Sequence, residues 1–401
     1  MRNVRTAFLV LLWCSVTSGA AAQVLPSEPV TIAGGRAVIG GDVAAAIAPI
    51  DTGFSNYSDY EHTTLREIRL GLTASVRATD RISVLAELRT DNFQRVTPFA
   101  LYARIRPWRE RRLDVQIGRV PPTFGAFTRN AYGHDNPLIG YPLAYQYLTS
   151  VRSDSAPANV DELLRMRGRG WRSSFSVGNP TPDHGLPLVT AFSWDTGVQV
   201  TTGWRAVDVT AAVTNGTVSN PRVTDDNDGK QFATRVKLTP TTGLVIGTSF
   251  ARGQYASRQL LDADPAAADR FVQHAYGVDM EYSRSHWIGR ADVVLSQWDV
   301  PAIASPFLDV PLRALALSVE GRYTIFPGMY AAARAEHLGF NDVRGTTRVD
   351  EWEAPVSRLE VGGGYYLQRN LILRVSVQMN RRDGGRVRRL TLPAAQLLFW
   401  F

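Results

Sequence analysis

The sequence has one cysteine, two lysines and no long apolar segment, and each of these scarcities excludes a class of protein. The only cysteine is Cys14, close to the amino terminus. The rest of the chain therefore has no disulfide and no cysteine-ligated metal site. The clearest uninterrupted apolar stretch, 7–16, is about half of the ~20 residues that a membrane-spanning helix needs. A helical membrane protein is thereby excluded.

Positive charge is carried almost entirely by arginine, since Lys230 and Lys237 are the only lysines. The formal net charge is +7, of which Arg2 and Arg5 contribute two. This surplus is modest for a chain of 401 residues, and it argues against a nucleic-acid-binding protein.

Histidines are also few and scattered. The six of them show no spacing typical of metal ligands. The acidic segment 225–229 resembles the start of a calcium loop, but Arg235 stands where the loop would need its final glutamate. The sequence therefore predicts no metal, no cofactor and no enzymatic activity.

The first 22 residues have the three parts of a secretory signal peptide. Arg2 and Arg5 form a positive start, 7–16 an apolar centre and the alanines at 20–22 a cleavage site. We expect residues 1–22 to be removed on export.

Alternation of apolar and polar residues dominates the chain from about residue 33 onward. In the segment 64–77, for example, Ile68 and Leu70 face one way and Glu67 and Arg69 the other. The same pattern places Phe99, Leu101, Ala103 and Ile105 on one apolar face, and it recurs from residue 198 to the carboxy terminus. The polar faces carry arginines and carboxylates in the middle of the strands.

Connections between these segments alternate between turns of about three residues and longer charged loops. The longer ones are 215–229, 254–270, 299–311, 341–351 and 382–388. Short turns join only neighbouring strands, and an apolar outside with a polar inside is typical of a membrane barrel rather than of a soluble sandwich. Residues 23–401 are therefore predicted to form one all-β domain, a transmembrane antiparallel β-barrel of about 16 strands, or 18 if 163–177 forms another pair.

A long insert, 119–187, follows the fifth predicted strand and breaks this regular pattern. Connections of this length are usually functional. It contains four arginines with no carboxylate among them, and the first three would lie ~7 Å apart on one face if extended. We predict that they form a pore constriction, with an external rim or pairing across the lumen as alternatives: Arg165, Arg167, Arg169 and Arg172.

Two motifs carry a resemblance to a known family. The chain ends in an alternating apolar segment that closes on Phe399 and Phe401. This ending resembles that of Gram-negative outer-membrane β-barrels, in which the assembly machinery reads it as a signal. The segment 118–125, Gly-Arg-Val-Pro-Pro-Thr-Phe-Gly, is similar to an element of phosphate-selective-type porins, although Thr123 separates the prolines from Phe124.

The resemblance implies a member of the porin superfamily in the outer membrane of a Gram-negative bacterium. Its expected activity is passive diffusion of small hydrophilic solutes, its partners are lipid and the barrel assembly machinery, and a homotrimer is possible. Phosphate selectivity does not follow, because the dense lysines are missing. A barrel enzyme, an adhesin or an assembly factor without a pore is the alternative.

The predicted lumen wall is nearly neutral. It comprises Arg69, Arg89, Arg104, Arg235, Arg322, Arg374, Glu87, Glu320 and Glu360. Such a wall selects weakly, so the insert arginines are expected to give a mild anion preference.

Arginines also cluster around the last predicted loop. With Asp383 as their only acidic neighbour, they suit contact with lipopolysaccharide phosphates, and an ordinary solvated loop is the alternative. The cluster comprises Arg381, Arg382, Arg386, Arg388 and Arg389.

Overall fold

The computed structural model describes residues 28–108, 112–127, 132–263 and 270–401. The predicted signal peptide, 1–22, lies outside these residues. Within the described ranges, no helix is long and apolar enough to cross a membrane.

Sixteen antiparallel strands form one closed barrel, as predicted. Each strand pairs with the next along the chain, and β16 pairs with β1 to close the sheet. The strands are β1 Ala37–Ile47, β2 Ile68–Arg77, β3 Ile82–Asp91, β4 Thr97–Ile105, β5 Leu113–Val120, β6 Asp195–Trp204, β7 Val207–Thr214, β8 Gln231–Thr241, β9 Leu244–Gln254, β10 Val272–Arg284, β11 Trp287–Trp298, β12 Leu312–Phe326, β13 Met329–Phe340, β14 Val356–Gln368, β15 Leu371–Arg382 and β16 Arg389–Trp400. Because the sheet is closed, its backbone donors and acceptors are satisfied without water.

The closing contact depends on the last residue and on a glycine. Gly41 and Phe401 exchange two backbone hydrogen bonds, each of 3.0 Å. A Cβ on Gly41 would lie 2.8 Å from the carbonyl oxygen of Gly71 and 3.1 Å from the Phe401 ring. The absence of a side chain therefore gives the terminal ring its place across the outside of β1.

The two faces of the barrel differ as the alternation predicted. Apolar side chains such as Leu72, Val278 and Val375 are exposed on the outside, whereas Arg334 and Glu360 on the inside are at most 1% exposed. An apolar outer band suits lipid, and these two charged inner residues are covered by protein.

The connections separate the two ends of the barrel. At one end, called the turn end, most hairpins are tight, as at 205–206, 242–243 and 327–328. At the other, called the loop end, the connections are longer, as at 48–67, 215–230 and 341–355. This asymmetry is the predicted one.

The insert spans 121–194, between β5 and β6, and its described residues include two short α-helices, α1 Leu143–Gln146 and α2 Val160–Arg165, and a 3-10 helix at Gly170–Arg172. A third α-helix, α3 Arg258–Ala263, lies in a loop at the loop end. The alternative of 18 strands is wrong because α2 occupies the start of 163–177. The Asn159 side chain caps α2 by accepting from the backbone N–H of Glu162 at 2.9 Å, and the acidic first turn favours the helix dipole.

The insert fills much of the lumen at the loop end. It packs against small apolar residues on the inner face of β8–β12, which we call the packed wall: Ala233, Ala251, Ala275, Ala314 and Ala316. Phe124 at the start of the insert is fully buried there. A Cβ on Gly277 would lie 2.9 Å from its ring, so this glycine leaves space for it.

Candidate functional site

Charged residues of the barrel hold the middle of the insert by its backbone. Glu336 accepts from the N–H of Leu143 at 2.7 Å, and Glu360 accepts from that of Gly140 at 3.0 Å. Arg358 donates to the carbonyl oxygen of Tyr141 at 3.0 Å. Much of the inner charge is therefore used to fix the insert rather than to attract solutes.

The same inner charges also pair with one another. Arg334 contacts Glu320, Glu336 and Glu360 at 3.1, 3.2 and 2.9 Å. All four are buried, so removing one partner would cost about 3–5 kcal/mol. Arg290 also pairs with Glu320, at 3.2 Å, so each of the three carboxylates has a cationic partner.

All nine predicted lumen-wall residues lie on the inner face. Arg235 forms a bidentate pair with Asp279 at 2.6 and 2.7 Å, and Arg104 pairs with Asp114. Arg322 lies over the ring of Tyr330 instead, at 4.2 Å from its centroid. The others are Arg69, Arg89, Arg374, Glu87, Glu320 and Glu360.

A cavity of about 680 Å³ lies at the loop end between the insert and strands β2–β4. We call it the vestibule. The inner residues of β2–β4 that line it form the open wall: Arg69, Arg89, Asp91, Thr97 and Phe99. Exposed residues of the loop end, such as Gln94 and Arg95, border it.

Phe99 reaches the vestibule because the alternation fails locally. The register between β3 and β4 shifts at Glu87 and Leu88, where a bulge turns Phe99 inward and leaves it 4% exposed. The prediction that Phe99 shares the outer face of Leu101 is therefore wrong.

Arg69 on the open wall is saturated with partners. Its guanidinium contacts Asp91 at 2.8 Å, Glu67 at 2.9 Å and the hydroxyl of Tyr141 at 3.1 Å. Two carboxylates surround this one cation, so it adds no positive field to the vestibule.

Arg89 is held equally firmly but keeps its terminal amino groups free. Its guanidinium lies 3.4 Å from the centroid of Phe99 and 5.0 Å from that of Tyr132. Its Nε donates to Glu87 at 2.5 Å, and the Tyr132 hydroxyl donates to the same carboxylate at 2.6 Å. Among the described residues, no hydrogen-bond acceptor meets the two amino groups.

A second polar group lines the vestibule from the loop between β1 and β2. His62 Nδ1 contacts the Asp59 carboxylate at 2.7 Å, and the backbone N–H groups of Glu61 and His62 donate to it at 2.8 Å. Burial would lower the pKa of His62, but the hydrogen bond and charge of Asp59 outweigh it and raise the pKa. Burial likewise opposes the charge of Asp59, whose hydrogen bonds nevertheless hold its pKa below the usual value.

The predicted constriction arginines lie elsewhere. Arg165 ends α2, and Arg167 binds the Glu351 carboxylate at 3.0 Å and the carbonyl oxygen of Asp383 at 2.9 Å. Arg169 and Arg172 are exposed, and none of the four is among the described residues that line the vestibule. The segment is not extended, so the spacing of ~7 Å on one face does not apply: it folds as a helix followed by turns against the loops 341–355 and 383–388.

The arginine cluster around the last loop divides between two directions. Arg381 and Arg389 face each other across β15 and β16 and are exposed on the outside, and Arg386 and Arg388 are exposed in the loop. Arg382 points inward and donates to the carbonyl oxygen of Gly53 at 3.4 Å. The prediction that Arg382 contacts lipopolysaccharide is therefore wrong.

The two terminal phenylalanines lie at the turn end. Phe399 and Phe401 stack with their centroids 6.0 Å apart. The strand that carries them is apolar on its inner side too, where Leu392 and Leu398 pack against the insert.

No protein-family model matches the chain, and no curated protein matches it significantly. Solved structures do. They include OmpF of Salmonella typhi in complex with daunomycin (9% identity, 91% of this chain and 97% of that one, TM-score 0.55) and the outer-membrane channel DcaP of Acinetobacter baumannii (11%, 93% and 100%, 0.54). An anion-selective porin from Comamonas acidovorans matches with 8% identity over 91% of this chain and 99% of that one, at a TM-score of 0.54.

The chain thus has the fold of outer-membrane porins, a closed barrel of 16 strands. At these identities the likeness concerns the fold alone.

Proposed function

We propose that the protein is an outer-membrane channel for passive diffusion of small hydrophilic solutes, which enter through the vestibule. The observation that carries the proposal is the vestibule itself, a cavity of about 680 Å³ left between the insert and the charged open wall of a porin-type barrel. A porin interior that is polar and wet suits hydrophilic solutes.

We further propose a mild anion preference, set by Arg89 and Arg95. Most inner charges are paired, whereas the two amino groups of Arg89 meet no acceptor among the described residues and Arg95 is exposed at the lip of the vestibule. Charge at a narrow point dominates the selectivity of a pore. Arg89 and Arg95, rather than the insert arginines, are therefore the residues most suited to set the sign of the ion selectivity.

Planar-bilayer recording of the purified protein tests the channel. We expect stable single-channel steps. A barrel that inserts but stays silent would overturn the proposal and favour a barrel enzyme, adhesin or assembly factor.

A salt gradient tests the anion preference. Replacing Arg89 and Arg95 by Glu should move the reversal potential toward cation preference, whereas replacing Arg165, Arg167 and Arg169 by Glu should move it much less. A larger shift of the reversal potential in the variant of Arg165, Arg167 and Arg169 would show that these arginines set the selectivity instead.

The remaining expectations belong to the same proposal. The protein would be exported, assembled by the barrel assembly machinery and surrounded by lipid and lipopolysaccharide. A homotrimer is possible. The proposed channel needs no cofactor and no enzymatic activity. The terminal Phe399 and Phe401 would serve as the assembly signal.

A further inference from the structure

We propose that the vestibule binds small aromatic monocarboxylates, with the carboxylate on Arg89 and Arg95 and the ring against apolar residues of the insert. This deepens the proposed channel function, and it requires only that the vestibule be open to solvent at the loop end.

The two arginines of the open wall differ in what they can still bind. Arg69 has contacts of 2.8 to 3.1 Å to two carboxylates and a hydroxyl. The Nε of Arg89 donates to Glu87, and its two amino groups meet no acceptor in the described ranges of the chain. A guanidinium with a free edge suits bidentate binding of a carboxylate.

Arg89 is also pre-organised for a ligand. The ring of Phe99 supports one face of its guanidinium at 3.4 Å, and Glu87 fixes its Nε. Glu87 is in turn held by the hydroxyl of Tyr132 at 2.6 Å. A cation fixed in this way loses little conformational freedom when a ligand binds, which raises affinity.

The insert supplies an apolar surface to the same cavity. Leu148, Leu186, Pro187 and Phe192 line the vestibule together with the arginines. Phe192 is held edge-on by Tyr141, with centroids 5.1 Å apart. A planar ring can pack against such residues while its carboxylate reaches the open wall, and mixed apolar and polar lining is typical of small-molecule sites.

The acidic residues of the vestibule favour a single negative charge on the solute. Asp91 is engaged by Arg69 and Asp59 by His62. Glu61 is exposed and lines the same space. A second negative charge on the solute would therefore meet repulsion, which disfavours phosphate and dicarboxylates.

Calorimetric titration of the full-length protein in detergent micelles tests the proposal, with sodium benzoate as the probe. We expect benzoate to bind about tenfold more tightly than acetate, because burial of the ring adds apolar contact. Benzyl alcohol, which has the ring without the charge, and inorganic phosphate should bind more weakly than benzoate. Acetate or phosphate binding as tightly as benzoate would overturn the assignment.

Two substitutions locate the site. Arg89→Gln should weaken benzoate binding about tenfold, since a charged hydrogen bond is lost, and Arg95→Gln about threefold. Arg81→Gln, in the turn at the other end of the β2–β3 hairpin, should leave binding unchanged. Because Arg95 is exposed, its variant keeps the test valid even if Arg89→Gln fails to fold. Unchanged affinity in both folded variants would refute the site.

The outcomes separate this proposal from the channel function, because calorimetry needs no conduction. A silent barrel that binds benzoate through Arg89 would refute the channel and keep the site. A conducting barrel without benzoate binding would refute the site and keep the channel.

Discussion

The packed wall and the open wall occupy equivalent positions in one barrel, yet the insert packs closely against the first and leaves a cavity beside the second. Both face inward near the loop end, although Phe99 of the open wall does so through a bulge. The packed wall presents alanines, of which Ala275 and Ala314 are fully buried. The open wall presents Arg69 and Arg89, which face a cavity of about 680 Å³.

The difference shows that the inner residues determine where the lumen is filled. Apolar area removed from water stabilises by roughly 25 cal/mol per Å², so the alanine surface gains from contact with the insert. At the open wall, Tyr141 and Tyr132 of the insert contact Arg69 and Arg89, and a wholly apolar cover there would cost several kcal/mol of desolvation. Water, and with it a path for solutes, is expected beside the open wall.

The largest effect on the protein is expected from changes in β16, because its pairing with β1 closes the barrel that carries both walls. Replacing Phe399 and Phe401 by Asp should abolish insertion, because a lipid-facing strand cannot carry this charge and the closing pair with β1 is weakened. Heat-modifiable migration on gels and fractionation of the outer membrane provide the measurement. Normal migration of the variant would contradict the membrane role of the last strand.

The second prediction compares the effect of an added arginine on each of the two walls. Ala275→Arg places an unpaired charge in the packed wall and should destabilise seating of the insert by about 3 kcal/mol. Amide exchange of residues 136–147 would then rise about 100-fold. Thr97→Arg adds the same side chain to the exposed lip of the open wall and should leave this exchange unchanged. Equal effects would show that wall composition does not seat the insert.

Most of the barrel could be predicted from the sequence because a closed membrane sheet repeats one local rule. Strands such as β12 alternate over most of their length, and the connections at the turn end are mostly tight. Two exceptions depart from this rule. The bulge that turns Phe99 inward breaks the alternation, and part of the arginine segment of the insert folds as α2.

The candidate site was harder to predict because it depends on the path of the insert. Inward positions of arginines such as Arg69 and Arg89 followed from alternation, but their partners Tyr141 and Tyr132 lie in the insert. One overlooked signal was present: alanines recur at inward positions near the loop end of β8–β12. Small apolar residues on an otherwise polar face indicate a surface covered by protein.

A third, smaller effect concerns the outside of the barrel at the loop end. Arg381 and Arg389 are opposite each other and exposed, so we expect them to bind phosphates of lipopolysaccharide. Replacing both by Ala should reduce co-purified lipopolysaccharide by roughly half and increase detergent sensitivity, while barrel assembly stays normal. The double variant Arg386→Ala/Arg388→Ala tests the two loop arginines independently of the pair on the strands. Unchanged lipopolysaccharide content in both would show an ordinary solvated loop.

The smallest expected effect is a pH dependence of the loop that borders the open wall. The raised pKa of His62 means that its pairing with Asp59 stabilises the loop fully below the usual histidine value of about 6.5, and that this stabilisation is lost as the pH rises through the raised value. The lowered pKa of Asp59 sets the other limit, since its contribution is lost only as the pH falls through that value. The pair is therefore most effective in mildly acidic solution.

Amide exchange, corrected for the intrinsic effect of pH, measures this pairing. The N–H groups of Glu61 and His62, which donate to Asp59 at 2.8 Å, should lose protection about twofold between pH 5.5 and 8.5. The effect is small because Asp59 is 39% exposed and such pairs contribute about 1 kcal/mol or less. His62→Gln should remove the pH dependence. The N–H of Asn56, which donates to Asp51 at 2.8 Å in the same loop, is the internal control. If its protection changed as much as that of His62, the loop would respond to pH as a whole, and the pair could not be the cause.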